Sequence, residues 1–335
     1  MTAQGQAQTN WSFPRPYGSR SIIFVIGAAL LLWYSGQRVE IGRMVTMTAE
    51  AFAVQLGLAE RSQVADGLGT AIGQLFPIQL SERREISRID GFDAADLPFL
   101  SHVEIKESRA EAINPQTMRM ESRPIRTTYL VEPLGYVRHV AAKMLETLEI
   151  ALWGTIVAIL IGFPLALVAA RNMMPIAPIR MLARATIGFC RAIPELVSAL
   201  FLVIAYGFGP IAGILALGLY GAGFLGKFYA DDIENADPRP QEALTAIGAG
   251  RIIMWRYAIL PQVLPQYIAY TLYILDRNVR MATVIGLVGA GGIGQELKGR
   301  YDMYDYGHVG TILIAIFIVV LLLDRSAGRL RQSLL

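Results

Sequence analysis

A chain of 335 residues in which 54% are hydrophobic and only 17% charged is not composed like a soluble domain, where about a quarter of the residues carry charge. Its formal charge of +3 is too small for this length to suggest a nucleic-acid partner. The one cysteine, Cys190, excludes an intrachain disulfide and a thiolate metal site, and His102, His139 and His308 lie far apart in sequence.

Taken in chain order, residues 1–20 read as a leader, with Arg15 and Arg20 and no acid. Ser21–Gln37 is uncharged and predicts a first membrane span at 21–36; "SGQRVE" after it is a poor signal-cleavage site. In the segment 37–138, Val45–Leu75 has the pattern of an amphipathic helix. Strand-like alternation follows in "HVEIKES" and "TMRMESRPIRTTYLVEP", which predicts a small folded cap over Arg83–Val131. The 139–335 stretch is the membrane core, and a crossing helix there needs roughly 20 mostly apolar residues. Ile150–Ala170 supplies the second span. Leu196–Gly226 is too long for one crossing and is broken by "GFGP" at Gly207–Pro210, so it supplies the third and fourth. Tyr257–Gln295 gives a fifth span with a glycine-rich exit, and Gly307–Leu323 gives the sixth. The expected fold is an all-α membrane protein of six transmembrane helices with a small, partly β insertion.

Arginines set the orientation, because positive flanks stay inside. The leader, the 171–184 loop (Arg171, Arg180, Arg184) and the tail (Arg325, Arg329, Arg331) fall on one side when six helices alternate. Both termini and the 227–262 loop are then cytoplasmic, and 37–138 and Gly289–Tyr306 are periplasmic.

Three motifs hint at nucleotide or metal chemistry. "GLVGAGGIGQEL" contains G-x-G-x-x-G at Gly289, Gly291 and Gly294, with Gly292 a further glycine of the same helix exit. A dinucleotide site also needs a βαβ unit and an acidic residue about 20 positions on, and that position falls in the apolar sixth span. Glycines at a helix exit serve close backbone approach instead. "GAGFLGKF" at Gly221–Phe228 resembles a P-loop, but Phe228 stands where Ser or Thr must hold Mg²⁺. The cytoplasmic "DDIENADPRP" offers Asp231 and Asp232 for a prenyltransferase-like enzyme. No other cytoplasmic loop supplies the second acidic cluster such chemistry needs, so a solvated acidic loop is the favoured reading.

"EALTAIGAGRIIMWRYAILPQVLP" predicts a short helix at Glu242–Ile247, ended by Gly248–Gly250. A second helix at Arg251–Leu260 would lie along the membrane, and Pro261 would turn the chain into the fifth span. The stretch resembles the coupling motif of ABC importer permeases, E-A-A-x3-G-x9-I-x-L-P. Glu242, Ala243, Gly248, Leu260 and Pro261 match; Leu244 and Ala258 replace an Ala and an Ile. "CRAIPELV" (Cys190–Val197) and "RNVRMATVIGLVGAGGIG" (Arg277–Gly294) are similar to the permease subunit of phosphonate importers and, more distantly, to methionine importer permeases. The resemblance implies a type I importer core acting as a homodimer with two cytoplasmic ATPase subunits, which bind ATP and Mg²⁺, and a periplasmic phosphonate-binding protein. It implies no catalytic residue and no cofactor in this chain. A methionine or amino-acid importer permease is the alternative.

Arg191, Glu195, Asp276, Arg277 and Arg280 lie within or beside apolar spans, where a charge facing lipid costs several kcal/mol. By spacing, Arg191 and Glu195 share a helix face, as do Asp276 and Arg280. They either pair and hold helices together or form a weakly positive path for an anion, with Arg280 the first residue expected to touch it.

Overall fold

The computed structural model describes residues 19–58, 61–89, 92–93, 97–98, 100–113 and 120–334. It divides into two compact units, Met1–Gly73 and Gln74–Leu335. Among the described residues, five helices are long and apolar enough to cross a membrane, and a sharply bent helix pair makes a sixth candidate.

In the first unit, α1 (Ser19–Arg38) exposes apolar side chains all round, among them Phe24 at 77% and Trp33 at 71%; this is a surface suited to lipid rather than water. The amphipathic stretch expected at 45–75 is two helices, α2 (Ile41–Gln55) and α3 (Gln63–Leu75). Gly57, at φ +72, ends α2. Gly57 N–H donates to Val54 O and Leu58 N–H to Ala53 O, closing the carbonyls that a continuing helix would have used.

The second unit begins with a three-stranded antiparallel sheet in the order β1-β3-β2: β1 (Glu82–Glu85), β2 (His102–Ile113) and β3 (Met120–Glu132). β2 and β3 pair from His102↔Val131 to Ile113↔Met120, and β1 covers only residues 129–132 of β3. Pro124 therefore lies beyond the reach of β1, on a stretch with one open side, where a residue lacking an N–H is tolerated.

The core is built on α4 (Gly135–Ala169) and α7 (Pro210–Asn235). At 35 residues α4 is about 50 Å long. It reaches well past a hydrocarbon layer of about 30 Å and carries the charged stretch before Ile150 out of the membrane. Gly154, Ala158 and Gly162 recur every fourth residue on α4 and meet Leu217, Gly221 and Ala222 of α7. A Cβ on Gly162 would lie 2.9 Å from Ala222 O. Without a hydrophobic drive between helices in lipid, such small-residue seams supply the packing. Of the glycines of "GAGFLGKF", Gly221 and Gly226 are part of this seam, while Gly223 lies against Cys190 and Arg191 of α5.

α5 (Ala177–Ala192) and α6 (Glu195–Tyr206) meet at 91°. Pro194 forces Ile193 into extended backbone (ψ 121) and stops the helix there. Arg191 and Glu195 consequently stand on different helices, not on one helix face as their spacing suggests.

After α7 come α8 (Pro238–Ala246) and α9 (Arg251–Met254). A five-residue π turn, Trp255–Ile259, then runs straight into α10 (Leu260–Gly286). Pro261 was expected to turn the chain; instead the helix continues through it. The wider π turn accommodates the proline ring and its missing N–H, and Gln262 Nε2 donates to Ala258 O at 2.6 Å.

α10 ends in the glycine turn, and α11 (Gly292–Asp302) and α12 (Tyr306–Leu334) follow. Gly289 and Gly291 hold φ +93 and +85, which side-chain-bearing residues avoid. The first N–H groups of α11 are taken within the protein: Gly292 donates to Glu146 Oε1 at 3.0 Å and Ile293 to Thr147 Oγ1 at 2.8 Å. The place a pyrophosphate would take is filled by a carboxylate of α4. A Cβ on Gly294 would sit 2.0 Å from Thr283 O and 2.8 Å from Gly286 Cα, both backbone of α10, so no flexible side chain can yield. Gly294→Ala should cost about 3 kcal/mol or more, the top of the overpacking range, read as a lowered Tm of the detergent-purified protein; an unchanged Tm would contradict this packing.

The N-terminal end of α12 is tied to the segment before β1. Gln79 N–H donates to Gly307 O at 3.2 Å, Thr311 Oγ1 donates to Gln79 O at 2.6 Å, and His308 contacts Ser81 O at 3.1 Å and Asp305 at 2.6 Å. Burial pushes the Asp305 carboxyl up, but His308 and Arg300 outweigh it and hold it below the usual carboxylate range. Glu296 is likewise raised by burial and lowered further by hydrogen bonds from Arg300 and His139.

Candidate functional site

Two groups of residues stand out, one on the loop between α7 and α10 and one where α6, α7 and α10 meet. On the loop, Asp237 caps α8 by accepting from Arg239 N–H at 3.0 Å, with Pro238 at the first turn. Gly248, at φ +77, closes it, and Ala249 N–H donates to Leu244 O at 3.0 Å. No residue of α8 is buried. Glu242 and Ala243 are exposed, and Glu242 has no partner among the described residues. Leu260 and Pro261 lie in the first turn of α10, which anchors the loop. Gln262 supplies the anchor: its Oε1 accepts from Asp237 N–H at 2.9 Å while its amide holds Ala258. Nothing in the spacing singled out Gln262, nor Ile247 and Ile252, which are 79% and 81% exposed beside the glycines. Two isoleucines in a polar loop were the available signal.

In the second group, Glu195 opens α6 and is only 7% exposed. Its partner is Arg277, 82 residues on, which donates Nη2 to Glu195 Oε1. The Arg277 guanidinium also lies 4.1 Å from the centre of the Tyr220 ring, and its Nη1 is buried without a hydrogen-bond partner. Nearby, buried Asn278 donates to Thr155 Oγ1 at 3.0 Å. Tyr220, Asn278 and Thr155 were not legible as site residues, because each matters only through a helix distant in sequence.

Asp276 and Arg280 pair as their spacing suggests, at 2.6 Å, and Arg280 also reaches Asp324 of α12 at 3.3 Å. Arg280, first choice for meeting an anion, is thus already held by two carboxylates. Arg280→Gln should strand Asp276, whose side chain is 14% exposed, and lower the Tm of the purified protein; adding Asp276→Asn should restore it. Lost transport at unchanged Tm would instead mark Arg280 as a contact of the anion.

At the other end of the bundle, Asp231 is engaged by Lys227 at 2.6 Å, and Asp232 lies against Tyr270. Glu234 receives both Arg171 N–H at 2.6 Å and the Arg184 guanidinium. Among the described residues, no three His, Cys, Asp or Glu side chains gather as metal ligands.

Apolar helices long enough to span a membrane, packed on a glycine-seamed core with charges paired inside it, define a polytopic membrane protein. The chain belongs to the family of binding-protein-dependent transport system inner membrane components, whose pattern matches residues 162–334. A Stutzerimonas stutzeri protein named as a phosphite transport system permease is 54% identical over 261 residues, 78% of this chain and all of that protein. A second phosphite transport system permease from the same organism is 41% identical over 189 residues, 56% of this chain and 69% of its own. A phosphate-import permease of Mycolicibacterium smegmatis is 41% identical over 190 residues, 57% of this chain and 36% of that protein. Among solved structures, an inward-facing methionine ABC transporter matches at TM-score 0.51 and 24% identity over 58% of this chain and 96% of that one. An amino acid ABC transporter with histidines matches at TM-score 0.51 and 19% identity over 59% and 95%. The fold is that of an importer permease, as the coupling-type motif suggested.

Proposed function

We propose that this chain is the permease of an ATP-driven importer for phosphite, a phosphonate or a related phosphorus oxyanion, working as a homodimer by alternating access. The observation that carries the substrate class is the 54% identity along the whole length of a relative named for phosphite transport. The likeness to methionine and amino acid transporters, at 24% identity or below, is a likeness of fold and does not favour the amino-acid reading. In this reading the 1–20 leader, the 227–262 loop and both termini are cytoplasmic, and 37–138 is periplasmic. Glu242, Ala243, Gly248, Leu260 and Pro261 form the contact for two ATPase subunits, which bind ATP and Mg²⁺. Arg191, Glu195, Asp276, Arg277 and Arg280 border the path, and a periplasmic binding protein delivers the anion.

The test is reconstitution with the co-purified neighbours. ATP-dependent uptake of phosphite or methylphosphonate, with no uptake of methionine, is the expected result. Methionine uptake would overturn the substrate, and turnover of a prenyl diphosphate by the chain alone would overturn the class.

The sheet is proposed as a docking cap for the binding protein. Replacing residues 106–127 by an Asn-Gly turn keeps 102–105 paired with 128–131. This change should reduce binding-protein stimulation of ATP hydrolysis several-fold with the protein still inserted. Full stimulation would make the hairpin a tolerated insertion.

A further inference from the structure

A cavity of about 250 Å³ opens between α5 and α7 beside the end of α4. Arg184 and Arg191 stand on its α5 wall two turns apart, with Gly188 between them, and Lys227 and Asp231 stand on its α7 wall. Two of the three cations are balanced, Arg184 by Glu234 and Lys227 by Asp231. Arg191 is not: among the described residues it has neither an ion pair nor a hydrogen-bond partner. Its stem is pressed against α7 at Gly223, where an added Cβ would come within 2.8 Å of Arg191 Cγ, so the side chain is placed rather than free. A charge in an apolar span is expected to have a partner or a water-filled path, and among the described residues no carboxylate pairs with Arg191; Asp231, on the opposite wall, is taken by Lys227.

We infer that this cavity is a binding site for a phosphate-type group, with Arg191, the one lining cation without a counter-ion among the described residues, as its principal ligand. A guanidinium takes two oxygens of a tetrahedral anion at once. The volume is below the roughly 300–1,000 Å³ of sites for drug-sized ligands, which suits a small oxyanion or a headgroup phosphate and excludes a nucleotide. Two sources share this chemistry: a free oxyanion, and the phosphate of an anionic lipid reaching between helices. The assignment follows from the charges and the space and does not rest on the transport reading.

The test uses the full chain in nanodiscs and reads binding, so its failure and a failure of uptake are separate results. In phosphatidylcholine discs, inorganic phosphate is titrated and followed by phosphorus-31 line broadening. In parallel, protein purified from phosphatidylglycerol-containing membrane is weighed intact by native mass spectrometry. Arg191→Gln removes the ligand. Gly188→Leu fills the cavity at a position where an added Cβ meets nothing within 4 Å, so it leaves the fold unstrained. A saturable phosphate isotherm weakened at least tenfold by both variants establishes a free-anion site. Retained phosphatidylglycerol lost from both variants establishes a headgroup site. The inference is overturned if neither ligand binds, or if both variants bind as the wild type does.

Discussion

Glu242→Arg and Gly248→Val are each expected to leave the protein inserted and folded yet reduce ATP-driven uptake at least tenfold, while ATP hydrolysis by the associated subunits persists. The fold side of this expectation rests on burial. No residue of α8 is buried, so reversing a charge at exposed Glu242 disturbs no packing. In the proposed reading its partner is the ATPase subunit. At Gly248 the chain holds φ +77, which a β-branched residue takes only with strain of about 1–2 kcal/mol. Valine relieves that strain by re-aiming the chain between α8 and α9. Asp237, Pro238 and Gln262 fix the base of the loop, so the change falls on the direction of the helix rather than on its existence. Uptake and hydrolysis measured together on reconstituted complex decide the matter. Wild-type uptake by both variants would remove the coupling role from this loop.

How much of this was readable beforehand varies with the range of the forces involved. Spans showed because lipid demands long apolar runs, and the cap showed because strand alternation in 102–113 and 120–132 is local. The short helix α8 was legible through turn chemistry: a proline start, a glycine stop and helix formers between. The errors fall where a local pattern has more than one geometric solution. Four-residue spacing put Arg191 and Glu195 on one face, but Pro194 turned the chain by 91° between them. Pro261 looked like a turn because a proline inside a helix usually breaks it, and a π turn absorbed it instead. Glycines 289, 291, 292 and 294 share the backbone freedom of a phosphate-binding turn; the missing βαβ unit and acid already spoke against that use in the sequence, and in the structure Glu146 and Thr147 take the α11 N-terminus. Glu195 and Arg277 were each recognised as costly charges, but their pairing depends on how α6 packs against α10, which no period in the sequence encodes.

That pairing gives the other large effect. Arg277→Gln should destabilise the protein by about 3–5 kcal/mol, because it leaves a carboxylate with no counter-ion in a dry interior. Glu195 is only 7% exposed, and Arg277 is its one ion-pair partner among the described residues. The double variant Arg277→Gln, Glu195→Gln should recover most of the lost Tm, since removing both charges also removes the desolvation penalty. Transport separates structure from path. Arg277 keeps Nη1 buried and unpartnered, with its face against Tyr220, so an oxyanion reaches this group only if α6, α7 and α10 move apart during transport. If Arg277 serves the path, the double variant stays folded but carries phosphite poorly, and Arg277→Lys, which keeps the charge but not the two-pronged geometry, is also impaired. If the pair only holds α6 to α10, the double variant regains transport along with stability. Arg280 offers the contrast: its side chain is 44% exposed and it serves Asp276 and Asp324 together, so its loss is shared between a half-wet network and should cost less than the loss of Arg277. A larger Tm loss for Arg280→Gln than for Arg277→Gln would refute the view that burial, rather than the number of partners, sets the cost of these charges.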